Sequence, residues 1–501
     1  MTMHFSISTP HTDMAPRQAF LYDQVSRHIL NQVRNGVWKP GDRIPSLRKL
    51  SKQLKVSIST VNQAYLTLEQ QGVLKAKPQS GFYVRQTIEA MPELPQKTTT
   101  DGQPSKIRFD KLFEEIFQSA SDPNIAPLGA ATPSPELMPT KGLLRATHRA
   151  MTRRPEAGLS YCFPPGDPDL RQQIARQYGE LGLAIAPDDI IITNGATEAL
   201  ALSLTTLTRR GDIIAVESPT YFAVLRLIER MGLMAVEIDT DPRTGMCLDA
   251  LENALQTMDI RAILSVPNFN NPVGSLMPDE HKKALAALTV RYQTPLIEDD
   301  IYGELYFGDQ RPGIIKAWDQ ADQDNQWVLS CSSLSKTLAP GYRIGWVIAP
   351  KRYRTPILEL KQALSSAVAS VPQLAVSEFL RSGEYERLLV RSRRTYRKQV
   401  QHMRYLLARH LPPGARITDP EGGYVLWVEL PGKIDSLEVF NLAMRQHISI
   451  APGLLFSATR RYRNFIRINC SAPPGEEIED AVAQLGEIVR EMMTREHAKA
   501  A

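Results

Sequence analysis

Ser333-Leu334-Ser335-Lys336 follows an apolar run of strand length, Trp327 to Ser330, and precedes Ala339-Pro340-Gly341-Tyr342-Arg343-Ile344-Gly345. A lysine alone is usually a solvated surface group. At a strand end its amine can form a Schiff base with an aldehyde, while the flanking hydroxyls and the later guanidinium hold a phosphate. Upstream, Glu298-Asp299-Asp300-Ile301-Tyr302 closes another run. A buried carboxylate there can keep a pyridine nitrogen protonated, and Tyr302 can donate to a phenolic oxygen. Asn271, in the turn-forming Pro267-Asn268-Phe269-Asn270-Asn271-Pro272-Val273-Gly274, suits a second hydrogen bond to that oxygen. Asn194-Gly195-Ala196-Thr197-Glu198-Ala199-Leu200 joins a strand to a helix, whose first N–H groups can cradle a phosphate dianion. Tyr221, in Glu217-Ser218-Pro219-Thr220-Tyr221, is placed to stack on a ring. Arg467 falls mid-strand in Asn464-Phe465-Ile466-Arg467-Ile468-Asn469, where a charge is costly unless paired. Clamping a substrate carboxylate would pair it. An aldehyde-binding lysine, an acid for a ring nitrogen, donors for a phenolic oxygen, a stacking ring and a phosphate cup are together what pyridoxal phosphate needs.

A second set of residues lies near the N-terminus and suits a polyanion. Ser57-Ile58-Ser59-Thr60, with Asn62 and Gln63 next, opens a helical pattern with short hydroxyls and amides where a major groove would be. Arg43, Arg48, Lys49, Lys52, Lys75 and Lys77 supply a positive rim for phosphates. Residues 14–88 hold 12 Lys and Arg against 3 Asp and Glu, a net of +9 where the whole chain has +5, so the remainder stands at −4. A basic head on a mildly acidic body is thus expected to meet nucleic acid.

The elements that must position these groups follow from period and punctuation. Leu21, Val25, Ile29 and Val33 recur every four residues and predict a helix stopped by Gly36. Ser46 can cap a second helix carrying Leu47, Leu50 and Leu54, and Ser57 a third carrying Val61, Tyr65 and Leu68 up to Gly72. Val73 to Ala76 and Gly81 to Val84, separated by Pro78 to Ser80, read as a two-stranded wing. From Glu89 to about Asn124, Pro, Thr, Gln and Lys dominate around one apolar patch, Phe109 to Phe117, which predicts a linker holding at most a short helix. Beyond it the runs Ile190 to Thr193, Ile213 to Val216, Ala262 to Val266, Pro295 to Ile297 and Trp327 to Ser330 alternate with helical patterns. That alternation predicts an α/β domain with a parallel sheet. The section from about Ile357 reads as long helices plus a small mixed sheet around Gly423 to Leu430 and Phe465 to Asn469.

Composition excludes other classes. The chain has 501 residues, 43% of them hydrophobic and 23% charged, which fits a folded globular protein and neither a disordered chain nor a disulfide scaffold. Residues Met1 to Pro16 lack the order of a signal peptide, and no run is long enough to span a membrane, so a cytoplasmic protein is expected. Cys162, Cys247, Cys331 and Cys470 lie far apart, which predicts reduced cysteines and no metal site.

The order of residues adds a resemblance. From Leu21 to Val84 the chain resembles the GntR-type winged helix-turn-helix: a Leu21-Tyr22 opening, Gly36 through Arg43-Ile44-Pro45-Ser46 to Arg48 and Leu50, then Val56-Ser57, Thr60-Val61, Ala64-Tyr65, Leu68 and Gly72, then a wing with Gly81. The resemblance implies DNA contacts by Arg43, Ser46, Arg48, Ser57, Ser59, Thr60 and Gly81. Ile58 departs from it, standing where many members have Arg. Residues from about 125 to 495 resemble the fold-type I aminotransferases of classes I and II. This implies Lys336 as the Schiff-base lysine, Asp299 at the ring nitrogen, Tyr302 and Asn271 at the phenolic oxygen, and Tyr221 on the ring. It also implies phosphate contacts from Ala196, Thr197, Ser333 and Arg343, with Ala196 offering only its N–H where many relatives have Ser, and a carboxylate clamp from Arg467. Tyr161, in Tyr161-Cys162-Phe163-Pro164-Pro165-Gly166, matches a tyrosine that reaches the phosphate across a dimer interface, so a homodimer is implied. Head plus body resembles the MocR-type transcriptional regulators, with domains at 14–88, 89–124 (linker) and 125–501.

Three functions fit these residues. One is a regulator that binds operator DNA and senses pyridoxal phosphate or an amino compound. Another is a working aminotransferase with a DNA-binding appendage, which turnover would reveal. The third, a vestigial body that only dimerises the heads, is disfavoured by intact Lys336, Asp299 and Arg343.

Overall fold

The computed structural model describes residues 21–34, 37–70, 72–77, 80–85, 91–107, 112–119, 122–319 and 325–500. Expectations on Met1 to Pro16, Gly36, Pro78 and Phe109, and the two ends of the 14–88 head, lie outside the described residues. The chain divides into two compact units, Met1–Glu89 and Ala90–Ala501.

In the first unit, α1 (Leu21–Arg34), α2 (Leu47–Leu54) and α3 (Ile58–Gln70) precede the antiparallel pair β1 (Leu74–Lys77) and β2 (Gly81–Val84). The four-residue spacing buries Val25, Ile29 and Val33 of α1 against Val61, Ala64, Tyr65 and Leu68 of α3, with Ile44, Leu50, Leu74 and Val84 completing the core. Each buried Val, Leu or Ile side chain stabilises the unit by roughly 1.5–3 kcal/mol. Ser46 caps α2 by accepting the Lys49 N–H, and Lys55 ends it in the left-handed conformation with its N–H on Ser51 O. Ser57 caps α3 through the Thr60 N–H at 3.0 Å.

The second unit is built on an eight-stranded sheet. Its strands, in chain order after β3 (Ala126–Pro127), are β4 (Ile190–Asn194), β5 (Ile213–Ser218), β6 (Met234–Asp241), β7 (Gly245–Met246), β8 (Ile260–Ser265), β9 (Leu296–Asp299), β10 (Val328–Ser333) and β11 (Ile344–Ile348). Their spatial order is β4-β11-β10-β9-β8-β5-β6-β7. The expected parallel pairing holds from β10 through β6, but β11 runs antiparallel to both β10 and β4, and β7 antiparallel to β6. The reason lies in the connection: Leu334 to Arg343 is too short for a crossover helix, so the chain must return antiparallel. Each of β4, β5, β8, β9 and β10 is buried along nearly its whole length, because helices cover both faces.

The small sheet, expected as mixed, is antiparallel throughout: β12 (Arg416–Ile417), β13 (Val425–Glu429), β16 (Phe465–Asn469) and β15 (Ala451–Pro452) pair in that order. β14 (Ile448–Ser449) pairs instead with β3, in parallel. The segment expected as a linker lies along this unit where it is described. Ile417 donates to Glu93 O, Thr98 N–H donates to Thr240 O, and Ser105 bridges Ala235. Leu112–Ser119 forms the short helix, with Leu112 and Ile116 buried. Among the described residues no helix is long and apolar enough to cross a membrane. Cys331 and Cys470 are buried, and Cys162 and Cys247 half-buried, all unbridged.

Candidate functional site

The carboxyl ends of β4, β5, β8, β9 and β10 open on one cavity of about 370 Å³, where sheets of this kind take ligands. Ala196, Thr197, Tyr221, Asn271, Asp299, Tyr302, Ser333, Lys336 and Arg343 all line it. These nine residues come from six separate segments of sequence, so the fold brings together what the motifs only suggested.

Lys336 stands three residues beyond β10 with its Nζ donating to Ala131 O at 2.7 Å. Burial, with Arg467 next in effect and Arg343 after it, holds its amine down to about 8, against the opposing pull of Asp299. The three carboxylates at the end of β9 separate by their partners. Glu298 accepts the Ile315 N–H at 2.5 Å and the Lys316 N–H at 3.2 Å. Asp300 accepts from Asn268 Nδ2 at 2.8 Å and pairs with Arg311. Asp299 alone faces the cavity, and its Oδ1 has no partner. Burial, then neighbouring Asp300, pushes its carboxyl up to about 7.

Tyr302 is buried and hydrogen-bonded to the Asn271 side chain, and burial pushes its phenol well up. Tyr221 begins the helix Phe222–Met231 at the cavity wall, its ring 4.8 Å from that of Phe222. Arg467, in β16, is fully buried and, among the described residues, has no carboxylate partner. It donates to Asn271 Oδ1 at 3.1 Å and to Gly129 O, while its Nε is unbonded. Burial pulls its guanidinium down. A buried guanidinium held only by neutral oxygens is a charge awaiting an anion.

Two glycines let Arg343 and β11 approach the start of the helix that carries Ala196 and Thr197. Gly195 has φ +78° and caps the helix Ala196–Leu207; a Cβ there would lie 2.5 Å from Arg343 Nη2. Arg343 reaches across to Asn194 O at 2.8 Å. A Cβ on Gly345 would meet the Gly195 backbone at 2.5 Å, so β11 passes the helix start only because that residue has no side chain. The free N–H groups of that helix, Arg343, Ser333 and Ser335 thus share one end of the cavity.

Pyridoxal phosphate fits this set. Asp299 Oδ1 is an orphaned acceptor for a protonated ring nitrogen. Ser335 Oγ, also buried and unbonded, is an orphaned hydroxyl on the phosphate side. Ser335 is, with Ser333, one of the flanking hydroxyls that the lysine motif offers to a phosphate, and it stands outside the residues that the family resemblance implies. Tyr161 is not among the residues brought together. It is 77% exposed and stacks on Phe163 at 5.5 Å.

In the first unit, Arg43, Ser46, Arg48, Ser57, Ser59 and Gly81 are exposed and Thr60 half-buried. Arg43 bridges Tyr83 through its backbone, and its guanidinium lies against Gly81, whose φ is +106°. Ser57 Oγ lies 2.8 Å from Ser59 Oγ and 2.7 Å from Thr60 Oγ1, so the three hydroxyls form one cluster at the start of α3. Ile58 beside them is 48% exposed. Among the described residues, Arg43, Arg48, Lys49 and Lys52 pair with no carboxylate in this unit. They are free to meet phosphates.

Comparison with known proteins extends over both units. Residues 139–485 match the family described as aminotransferase class I and II, and residues 21–84 match the bacterial regulatory proteins of the gntR family. Over 473 residues, 94% of this chain and 99% of the relative, the sequence is 39% identical to YdcR of Escherichia coli, an uncharacterised HTH-type transcriptional regulator. YjiR of the same organism, also an uncharacterised HTH-type transcriptional regulator, is 38% identical over the same shares. Among solved structures, the α-aminoadipate aminotransferase LysN of Thermus thermophilus, complexed with N-(5'-phosphopyridoxyl)-L-leucine, is 27% identical with a TM-score of 0.71. The match covers 78% of this chain and 96% of that one.

Proposed function

The chain belongs to the gntR-type bacterial regulators in which an aminotransferase class I and II domain follows the DNA-binding head, the MocR-type layout, and from that premise we propose that the body senses pyridoxal phosphate or an amino compound reacting with it. The protein is a DNA-binding transcriptional regulator, and pyridoxal phosphate is the cofactor of its aminotransferase-like domain. Bound there, that cofactor supplies an aldehyde that takes up primary amines and a ring that draws electrons from them.

The residues then divide the work. Lys336, with its amine held down to about 8 and so partly neutral near neutral pH, would hold the aldehyde, and its Nζ could serve as a base. Asp299 Oδ1 accepts the ring N–H and keeps that proton in place. Tyr302 and Asn271 donate to the phenolic oxygen, and Tyr221 lies along the ring. Arg343, Ser333, Ser335 and the N–H groups of Ala196 and Thr197 hold the phosphate. Arg467 receives a carboxylate on the amino compound. In a homodimer, exposed Tyr161 serves the partner's phosphate, and two heads meet paired half-sites. In each head Arg43, Ser46, Arg48, Ser57, Ser59, Thr60 and Gly81 face the DNA.

The observation that carries this reading is Arg467: a fully buried guanidinium without a carboxylate among the described residues, beside the lysine amine, in a chain that also has a basic head. The test loads the purified protein with pyridoxal phosphate and adds each of the common L-amino acids, following visible absorbance, keto acid formed and anisotropy of labelled DNA. A sensor gives a spectral change with altered DNA affinity and at most about one keto acid per protomer. Many keto acids per protomer with unaltered DNA affinity would overturn it in favour of a working aminotransferase, the reading that the complete set of residues also allows.

A further inference from the structure

Residues 97–105, the stretch of chain soon after the boundary at Glu89, are hydrogen-bonded to both arms of the cofactor site. Thr98 is the centre of that contact. Its N–H donates to Thr240 O at 3.1 Å, and its Oγ1 accepts the Thr240 N–H at 2.8 Å and donates to Ser218 O at 2.9 Å. The Tyr462 phenol is hydrogen-bonded to the Thr98 side chain and lies 2.8 Å from Ser218 Oγ. Ser218 Oγ in turn donates to Glu237 Oε1, and Glu237 accepts Ser457 Oγ and Thr459 Oγ1. Alongside, Arg461 donates to Thr99 O at 2.6 Å and pairs with Asp101 at 3.0 Å.

One arm leads to the cavity wall at Tyr221, and the other to Arg467, which donates to the cavity residue Asn271. Ser218 is the last residue of β5, three before Tyr221. Tyr462 accepts the Phe465 N–H at 3.0 Å, and Phe465 opens β16, which carries Arg467. A direct backbone tie nearby, Thr220 N–H to Phe456 O at 2.9 Å, again joins the two arms. A cofactor stacked on Tyr221 touches one arm, and its phenolic oxygen at Asn271, which Arg467 bonds, touches the other, so the occupied site favours one spacing of the arms over another. A ligand acts at a distance only through such a difference. Thr98 bonds both arms, and the chain runs from it toward the head.

We propose that the Thr98–Ser218–Tyr462 junction reports the occupancy of the site to residues 97–105, and through them to the head. The proposal rests on the reading of the body as a sensor. Thr98 and Tyr462 act here as positioning residues and touch no cofactor.

Hydrogen exchange of the full chain, with and without pyridoxal phosphate, tests it. Thr98, Thr100 and Ser105 each donate a backbone N–H to the body and so serve as reporters. In the natural protein the cofactor should slow their exchange by roughly fivefold or more. Thr98→Val and Tyr462→Phe should each lose most of that slowing while the visible absorbance of the bound cofactor stays as in the natural protein. Thr98→Ser, which keeps the hydroxyl, should restore it. Tyr462→Phe keeps the ring contacts with Trp427 and Phe465, so it removes the hydrogen bonds and little else. Full slowing in both variants would overturn the proposal, as would unmoved exchange in the natural protein at full cofactor loading. If absorbance shows no cofactor bound at all, the sensor reading itself falls and the proposal with it.

Discussion

The two candidate sites are built in opposite ways. In the head, Arg43, Arg48, Lys49 and Lys52 are exposed cations with no carboxylate partner among the described residues, carried on a unit whose caps and core are otherwise satisfied. In the body, Asp299 and Arg467 are buried and Lys336 half-buried, and Asp299 Oδ1 and Arg467 Nε lack hydrogen-bond partners. A surface of solvated charges costs a fold little and gains through counterion release when DNA arrives. A buried charge without its partner costs much more, and such a site is retained because a ligand completes it. The head is therefore expected to answer mainly to salt, and the body to one small molecule and to pH.

Removing the body's lysine should separate the two most sharply. Lys336→Ala should abolish the visible absorbance of bound cofactor and every cofactor-dependent change in DNA binding, leaving basal binding intact; a mutant that still responds would mean that sensing is not covalent. In the head, Arg48→Ala should weaken binding to operator DNA by roughly tenfold or more with the fold unchanged, and unchanged affinity in a gel shift would remove Arg48 from the interface. Ser57→Ala should cost about 1 kcal/mol of helix stability, seen as roughly fivefold faster exchange of the Thr60 amide, which now bonds Ser57 Oγ at 3.0 Å.

The pH dependence belongs to the body alone. Asp299 holds the Lys336 amine up, while burial and Arg467 hold it down to about 8. The rate of cofactor uptake should therefore rise with pH to a midpoint near 8, and Asp299→Asn should move that midpoint lower. In the same window, between about 8 and the ordinary 10.5, the folded cofactor-free protein binds fewer protons at Lys336 than the unfolded chain. Its stability should therefore rise with pH there. The smallest effect is again in the head: Lys52→Gln should leave sequence preference unchanged and make the salt dependence shallower by about one phosphate contact.

How far each site could be read in advance follows from the same contrast. Lys336, Asp299, Asn271 and Ala196 each sit in a short motif at a strand end, so type and spacing sufficed, and the parallel core of the sheet placed them together. The antiparallel return of β11 was missed because an apolar run such as Ile344 to Ile348 carries no sign of direction. Segment 91–107 read as a linker from its polar composition, yet Thr98 bonds Ser218 across 120 residues of sequence. Such a contact leaves no periodic trace. Ser57 carried two roles that one pattern could not separate, cap and groove-facing hydroxyl.

DNA binding by the head should answer to the cofactor in the body. It is tested most directly by fluorescence anisotropy of the purified full chain on DNA from just upstream of its own coding region, at several salt concentrations, with and without pyridoxal phosphate. Binding should outcompete random DNA and shift when the cofactor is added. Weak, steeply salt-dependent binding that is the same with and without cofactor, while absorbance shows the cofactor bound, would contradict it.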